Sequence, residues 1–309
     1  MALLEIRGPH LFDEWNLFQI VEWEGEAMPH GVLFPGIPAD EIRKASPPGV
    51  NARLTEKGMI VSSTQLFLLN EGNRAVLIEA GSGNGKTRPA EPYWDQQALP
   101  YRETLVALGV EPNDVEFVYL SHLHPDHVGL ATTWNGGRWE PTFPRAEYVL
   151  DPREWAYWNS LPAGDPKRHP CIDDSVLPLV EAGCVRFAHD GERIGPLRVR
   201  QAPGHTPGHL LFELEESNLW FLGDLLHHPA QAGHPEWSAA NWDADPGLAR
   251  SQRRRFFKRF ADTRATLLAA HLGDPFRVEE ISSASFSARY GAPMIAENCP
   301  SCSESIQQA

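Results

Sequence analysis

Short runs of apolar and β-favouring residues recur along the chain and predict strands. Residues 115–120 (Val-Glu-Phe-Val-Tyr-Leu) combine β-branched and aromatic side chains, a composition typical of a strand. Comparable runs occupy residues 197–202, 209–214, 219–223 and 265–270. The first three of these later runs follow one another through short turns, so we expect an antiparallel meander.

Helix starts lie between the predicted strands. Asp151 precedes Pro152, and Glu154 stands at the third helical position, a combination typical of a helix N-terminus. Asp245 followed by Pro246 predicts a second start. Strands interleaved with single helices indicate an α/β protein, and the meander indicates that its sheets are mixed.

The helix predicted after Pro246 is strongly basic. Phe256, Phe257 and Phe260 fall on one side of it. The other positions carry cations, at Arg250, Arg253, Arg254, Arg255, Lys258 and Arg259. On an acidic protein we interpret this as a solvated outer face paired with carboxylates rather than as a nucleic-acid surface.

Composition bounds the classes of function. The chain has 309 residues, of which 42% are hydrophobic, and a net charge of -14. This size supports a sizeable core, and the negative field opposes nucleic acid and anionic lipid as partners. The N-terminus lacks a secretion signal, no stretch approaches a membrane span, and Cys171 and Cys184 are expected to be free thiols. We therefore expect a cytoplasmic protein that acts on small molecules.

Four of the six residues from His122 to His127 can bind metal ions, a density that no ordinary packing requirement explains. His122 and His124 leave the predicted strand two residues apart, so their side chains point to one side. Pro125 ends the strand pairing, and the bend lets Asp126 and His127 face a second point. The motif predicts a metal centre with two half-sites.

Three later segments each deliver a ligand-type residue near a strand end. His205 lies in the glycine- and proline-rich loop inside the meander, Asp224 follows the last strand of the meander, and His271 follows the run that ends at Ala270. Any one of these would be ordinary in a turn. Their number, together with the histidine motif, favours a shared metal centre.

Residues 80–87 (Ala-Gly-Ser-Gly-Asn-Gly-Lys-Thr) match a relaxed phosphate-binding loop and offer a rival function. Such a loop must open a helix whose N-terminus faces the phosphates, but Pro89 and Pro92 oppose a helix here. We interpret the segment as a flexible turn near the metal site. Replacement of Lys86 is accordingly expected to leave turnover and metal binding intact.

With these motifs the chain resembles the metallo-β-lactamase superfamily, over roughly residues 54–275. The resemblance implies a four-layer αββα sandwich, in which two mixed β-sheets lie between outer helices and the metal site lies at one sheet edge. It implies two metal ions, the first held by His122, His124 and His205, the second by Asp126, His127 and His271, with Asp224 between them. The chain departs from the family at Glu79, where the family usually has an aspartate. The residue at this position supports the metal ligands but does not bind the metal itself, so the departure removes no ligand.

The ligand types suggest the chemistry. Imidazole nitrogen and carboxylate oxygen favour two zinc ions, with iron, manganese or cobalt as alternatives. A hydroxide on the metals would then be the nucleophile. Asp126 and Asp224 are expected to hold the metals and to pass a proton. His227, three residues beyond Asp224, is expected to donate to a substrate oxygen, although a strand-end cap would explain it equally well.

The segment after Asp224 resembles the branch that contains N-acyl homoserine lactonases and methyl parathion hydrolase-like enzymes. It implies a dinuclear hydrolase in which hydroxide attacks the carbonyl of a lactone or ester. Phosphotriester hydrolysis is the alternative. A non-catalytic or redox metal protein is a distant third, because diiron redox relatives usually replace His124 with glutamate.

Three regions are expected. Residues 54–283 would form the catalytic domain, and residues 284–309 a tail that contains Cys299 and Cys302. Residues 1–53 would form an N-terminal extension packed on the main domain, for which a lid and a dimer arm are both open roles. A homodimer is compatible with this organisation.

Overall fold

The computed structural model describes residues 2–46, 53–239, 241–282 and 285–290. These residues contain sixteen strands, which are β1 (Glu5–Phe12), β2 (Trp15–Pro29), β3 (Met59–Glu71), β4 (Arg74–Ile78), β5 (Val115–Tyr119), β6 (Thr132–Trp134), β7 (Trp139–Pro141), β8 (Glu147–Leu150), β9 (Val185–Phe187), β10 (Arg193–Ile194), β11 (Leu197–Gln201), β12 (Leu210–Leu214), β13 (Leu219–Phe221), β14 (Thr266–Leu268), β15 (Phe276–Ser282) and β16 (Ser285–Tyr290).

The same residues contain eight α-helices, which are α1 (His30–Leu33), α2 (Ala39–Ala45), α3 (Tyr101–Ala107), α4 (Pro125–Val128), α5 (Pro152–Ser160), α6 (Leu177–Glu181), α7 (Ala230–Gly233) and α8 (Pro246–Thr263). Short 3₁₀ turns cover Pro112–Asp114, Gly129–Ala131 and Glu215–Ser217, and a π-helical turn covers Ile172–Val176. Among the described helices, none combines the length and the apolar character that a membrane crossing requires.

Two seven-stranded sheets dominate the fold. The first has the order β1-β2-β3-β4-β5-β8-β9, and the second runs β10-β11-β12-β13-β14-β15-β16. Parallel pairs join β4, β5, β8 and β9 in the first sheet, and β13 and β14 in the second, whereas the other pairs are antiparallel. Both sheets are therefore mixed, as predicted.

The layers of the fold are defined by the strand side chains, which point alternately to the two faces of each sheet. In β3, Phe67 and Leu69 belong to the core between the sheets, whereas Leu66 and Leu68 belong to the core under α3 and α5. Phe67 meets Phe221 of the second sheet at 5.3 Å between ring centroids. Because both faces of each sheet are covered, the central strands read as nearly continuous apolar runs. Helix α8 covers the second sheet, and the four-layer αββα fold is confirmed.

The predicted helix starts are confirmed by their caps. The Asp151 carboxylate accepts a hydrogen bond from the Arg153 backbone N–H, and the Asp245 carboxylate accepts one from Leu248. These bonds satisfy N–H groups that have no partner inside the helix. The predicted strand at residue 115 and the antiparallel meander of β11, β12 and β13 are also present.

Helix α8 only partly matches the expectation of a solvated basic face. Arg259 contacts the carboxylate of Glu213 at 3.0 Å, as expected for an outer face. Arg253 was wrongly assigned to that face, because it is only 1% exposed and donates to backbone carbonyls, among them that of Pro235 at 3.0 Å. The helix therefore directs one cation into the protein.

The first 46 residues contribute directly to the first sheet. Strand β2 pairs with β3 from Asn16 to Pro29, and β1 forms the sheet edge. At the other end of the chain, β16 pairs with β15, so the second sheet continues past the expected boundary at residue 283. Cys171 and Cys184 are free, as predicted, whereas Cys299 and Cys302 lie outside the described residues.

The segment around Lys86 is not a loosely held turn, so that expectation was wrong. The Lys86 ammonium is fully buried, donates to Thr132 Oγ1 at 2.6 Å and to the Asp174 carbonyl at 3.1 Å, and lies 3.4 Å from the centre of the Trp139 ring. Burial lowers the pKa of Lys86 to about 7. The lysine ties the segment to neighbouring elements, and within residues 80–87 there is no helix that could face a phosphate.

We therefore predict that Lys86→Ala destabilises the protein by about 2 kcal/mol, because it leaves a cavity and buried oxygen acceptors without their donor. Urea denaturation would measure this difference. The matched control is Lys57→Ala, which removes an exposed lysine and should change the free energy of unfolding by less than about 0.5 kcal/mol. Equal stability of the two variants would contradict the role given to Lys86.

Candidate metal centre

The predicted ligands converge at one edge of the two sheets. The motif from His122 follows β5, Asp224 follows β13, and His271 follows β14, so strand ends bring them together. Donor atoms within 4.8 Å of one another form three overlapping groups, which are His122, His124, His205 and Asp224; Asp126, His127 and His271; and Asp224, His227 and His271. The structure thus brings together every residue that the sequence singled out for this site.

Asp224 lies at the middle of the cluster. Its Oδ1 is 3.3 Å from His127 Nε2, and its Oδ2 is 3.3 Å from His205 Nε2 and 3.7 Å from His122 Nε2. His271 Nε2 approaches both oxygens at 3.2 Å. The two oxygens of one carboxylate therefore face donors from both half-sites, an arrangement that suits a bridging role.

The donor set fits divalent metal ions. His122 Nε2, His127 Nε2 and Asp224 Oδ1 are buried and make no hydrogen bond within the described part of the chain. Such groups are costly unless a partner satisfies them. Burial lowers the pKa of His122 and of His124, which keeps their lone pairs free for a metal. For His127, burial lowers the pKa, but Asp224 and Asp126 outweigh it and raise the pKa overall, so this half-site attracts positive charge.

A ring of oxygen atoms orients the imidazoles from outside. Ser121 Oγ lies 3.0 Å from His122 Nδ1, the Ser63 carbonyl lies 2.8 Å from His271 Nδ1, and Glu79 Oε2 lies 3.1 Å from His127 Nδ1. A partner at Nδ1 leaves Nε2 directed at the centre. Glu79 has a backbone φ of +64°. Its carboxylate occupies the place beside His127 that was expected for the family's aspartate.

Asp243 supports His205 in the same way and was not identified from the sequence. Its carboxylate lies 3.1 Å from His205 Nδ1 and accepts a hydrogen bond from Ser238 Oγ at 2.6 Å. Burial raises the pKa of Asp243, but the hydrogen bond from His205 and the charge of Arg253, 3.7 Å away, lower it to about 2. The buried cation of α8 is thus part of the support for a ligand.

Glu154 joins two ligand-bearing loops. Its carboxylate is fully buried and accepts hydrogen bonds from the backbone N–H of Leu123 at 3.1 Å and of Gly208 at 2.8 Å, and from Trp158 Nε1 at 2.7 Å. Leu123 lies between His122 and His124, and Gly208 lies in the loop of His205. Glu154, which the sequence placed in the first turn of a helix, therefore connects the loops that carry the predicted ligands of the first half-site. Only the tertiary contacts reveal this role.

His227 lies beside the bridging carboxylate. Its Nε2 is 3.1 Å from Asp224 Oδ2, its ring stacks on His271 at 5.5 Å, and its side chain is 11% exposed. Its backbone N–H donates to Gln231 at 2.7 Å, which fixes the turn that carries it. His227 is thus placed to reach a molecule bound over Asp224.

A cavity of about 350 Å³ opens over the centre. Its floor includes His124, Asp126 and Asp224. Its walls are largely apolar or aromatic and include Trp23, Ala27, Met28, Leu33, Ile60, Tyr93, Trp94 and Trp242. Four of these wall residues come from the N-terminal segment, which therefore shapes the cavity. His169 also lines this cavity and was not identified from the sequence.

Known proteins share this sequence pattern and this fold. The family model described as the metallo-beta-lactamase superfamily matches residues 60–271. The N-acyl homoserine lactonase of Bacillus cereus is 24% identical over 220 residues, which cover 66% of this chain and 80% of that protein.

Two solved structures have a similar fold. AidC, a dizinc quorum-quenching lactonase in complex with the product N-hexanoyl-L-homoserine, superposes with a TM-score of 0.73 at 19% identity, covering 94% of this chain and 98% of that chain. The hydrolase AbOPH of the beta lactamase superfamily superposes with a TM-score of 0.72 at 24% identity, covering 93% and 97%.

The family match spans most of the chain and contains the predicted ligands from His122 to His271. Together with the fold and the convergence of those side chains, it identifies the chain as a member of the metallo-beta-lactamase superfamily and a metal-dependent hydrolase.

Proposed function

We propose that the protein hydrolyses lactones or esters at a centre of two divalent metal ions, with zinc favoured by the donor types. His122, His124 and His205 would hold one ion, and Asp126, His127 and His271 the other, with Asp224 shared between them. The observation that carries the proposal is that these seven donors converge and that five of them line an apolar cavity, namely His124, Asp126, His205, Asp224 and His271. Metal ions bound there would supply Lewis acidity and lower the pKa of water.

The protein's own residues prepare the site in three ways. Imidazoles that bind metal ions are neutral, so the carboxylates of Asp126 and Asp224 would be the main compensation for two divalent ions, and the floor would stay attractive to a carbonyl oxygen. The outer contacts, among them the hydrogen bond that Asp243 accepts from His205 and the approach of Glu79 to His127, hold the donor atoms in place before a substrate arrives. The apolar walls exclude water and orient the substrate.

His227 would contribute a hydrogen bond to the substrate. It borders Asp224 on the floor of the cavity and is partly exposed there. An N–H at this place can stabilise the oxygen on which negative charge develops during hydrolysis. The alternative interpretation, in which His227 only caps the end of a strand, does not explain why its side chain lines the cavity.

Lactones or esters are favoured by the apolar walls, which suit a neutral substrate with an apolar arm, and by similarity to proteins named as lactonases. The aromatic side of the cavity, where the tilted rings of Trp23 and Tyr93 lie 4.4 Å apart, also suits an aryl phosphotriester, which is the second candidate. A panel of acyl homoserine lactones, simple lactones, aryl esters and paraoxon-like triesters, tested on metal-loaded protein, separates the two. Turnover of triesters alone would contradict the first proposal.

The ligand assignment predicts that His124→Ala and Asp224→Ala each lower metal affinity by more than about hundredfold and abolish turnover, because each change removes a donor from the shared centre. Elemental analysis after dialysis measures metal content, and initial rates measure turnover. His234→Ala, which removes a histidine that pairs with Glu236 outside the cavity, is the control and should keep both properties. Two retained metals in Asp224→Ala would refute the bridging role.

His227→Phe is expected to lower kcat by about hundredfold while metal content stays unchanged, because it keeps a flat ring against His271 but removes the hydrogen-bond donor. Steady-state kinetics and elemental analysis on the same sample distinguish the effects. If metal is lost together with activity, His227 is a ligand instead, as its membership in the third donor group would allow.

The cavity wall predicts a KM effect without a kcat effect. Trp23→Ala should raise KM for long-chain acyl lactones by about tenfold, because it removes a large apolar surface, and should affect short-chain lactones much less. Trp134→Ala is a matched control, since that tryptophan is 51% exposed and does not line the cavity. The wall assignment would be wrong if the two variants showed the same chain-length profile.

A further inference from the structure

One imidazole in the cavity differs from all the others around the centre. Eight other histidines near the centre each have a polar partner in the chain, which are His122, His124, His127, His205, His209, His227, His228 and His271. The ring nitrogens of His169, by contrast, have no hydrogen-bond or ion-pair partner in the part of the chain that the structure describes. His169 nevertheless lines the cavity.

The ring of His169 is held by contacts with two other aromatic rings. It lies 5.3 Å from the ring centroid of His124 and 5.0 Å from that of Trp158. These contacts place it beside the first half-site and restrict its rotation. The two ring nitrogens of His169 therefore have a defined position but form no hydrogen bond with the described residues.

The backbone that carries His169 is anchored on both sides. Arg168 donates to the carbonyls of Trp158 at 2.7 Å and Leu161 at 3.0 Å, and Cys171 Sγ lies 3.3 Å from the carbonyl of Leu123, which separates the ligands His122 and His124. The segment is thus fixed to the same loop as the ligands. A side chain on such a support loses little freedom when it binds a ligand.

We propose that His169 binds the substrate through a hydrogen bond to a polar group next to the scissile carbonyl, namely the amide of an acylated amino lactone. This inference rests on the proposed function. A side chain that contacts His124 is within reach of a group one or two bonds from a carbonyl held over the centre. The inference needs no change of charge, because a neutral imidazole offers one N–H donor and one acceptor lone pair, which match the two halves of an amide.

The test compares two lactones of equal chain length on metal-loaded protein, an N-acyl homoserine lactone and an alkyl γ-lactone that lacks the amide. His169→Phe keeps a flat ring between His124 and Trp158 but removes both nitrogens. It should lower kcat/KM for the amide-bearing lactone by about tenfold and change that for the alkyl lactone by less than about threefold. His169→Gln keeps a donor and an acceptor and should recover part of the loss.

Two further measurements exclude an indirect effect. Elemental analysis should find the same metal content in His169→Phe as in the wild type, and calorimetry should show that the ring-opened N-acyl homoserine binds about tenfold more weakly. His234→Phe is the control, because the ring of that histidine also contacts a tryptophan, Trp237 at 4.2 Å, but lies outside the cavity.

The outcomes separate this inference from the proposed function. Equal losses on both lactones, no loss on either, or loss of metal in His169→Phe would overturn the role of His169 in binding the amide. A wild type that hydrolyses alkyl lactones but not acyl homoserine lactones would also overturn it, while leaving the proposed function intact. A wild type that hydrolyses no lactone or ester would remove both.

Discussion

The site depends on one constraint, which is that the fold keeps many metal-ligating atoms close together although bringing them together is energetically unfavourable. His205 Nε2 and His124 Nδ1 lie 3.0 Å apart, and five imidazoles face the single carboxylate of Asp224. Without a cation between them, His122 Nε2, His127 Nε2 and Asp224 Oδ1 are buried and have no hydrogen-bond partner within the described residues, which is energetically costly. The surrounding fold must therefore supply the energy that keeps them close, and strand ends at a packed sheet edge do this because their backbones cannot shift independently.

The outer contacts divide this task among different parts of the chain. Asp243, Glu79 and Ser121 fix individual rings, whereas Glu154 fixes the spacing between the loop of His122 and the loop of His205. A buried carboxylate without a cationic partner is expensive, and Glu154 is stable because several N–H donors satisfy it. Stability and function are thus coupled, since the same hydrogen bonds that satisfy buried groups also orient the ligands.

The N-terminal segment forms part of the cavity above this centre. Its role as a lid or dimer arm stays a prediction, while β2 is a long member of the first sheet and its residues form part of the cavity wall. A wall built on a paired strand is held more firmly than one built on a loop, because ladder hydrogen bonds fix its backbone. We therefore expect this segment to set which acyl groups fit, and the floor to set which bond is cleaved.

Strand composition, helix caps and the spacing from His122 to His127 are local properties, so the amino-acid sequence was enough to predict a mixed α/β fold and a candidate metal centre. The tertiary structure decided the rest. Lys86 was expected in a flexible turn and Arg253 on a solvated face, but both are buried, and Asp243, Glu154 and His169 acquire their roles from partners far away in the chain. Local patterns cannot reveal such roles, since burial and hydrogen bonding depend on which distant segments the packed sheets bring together.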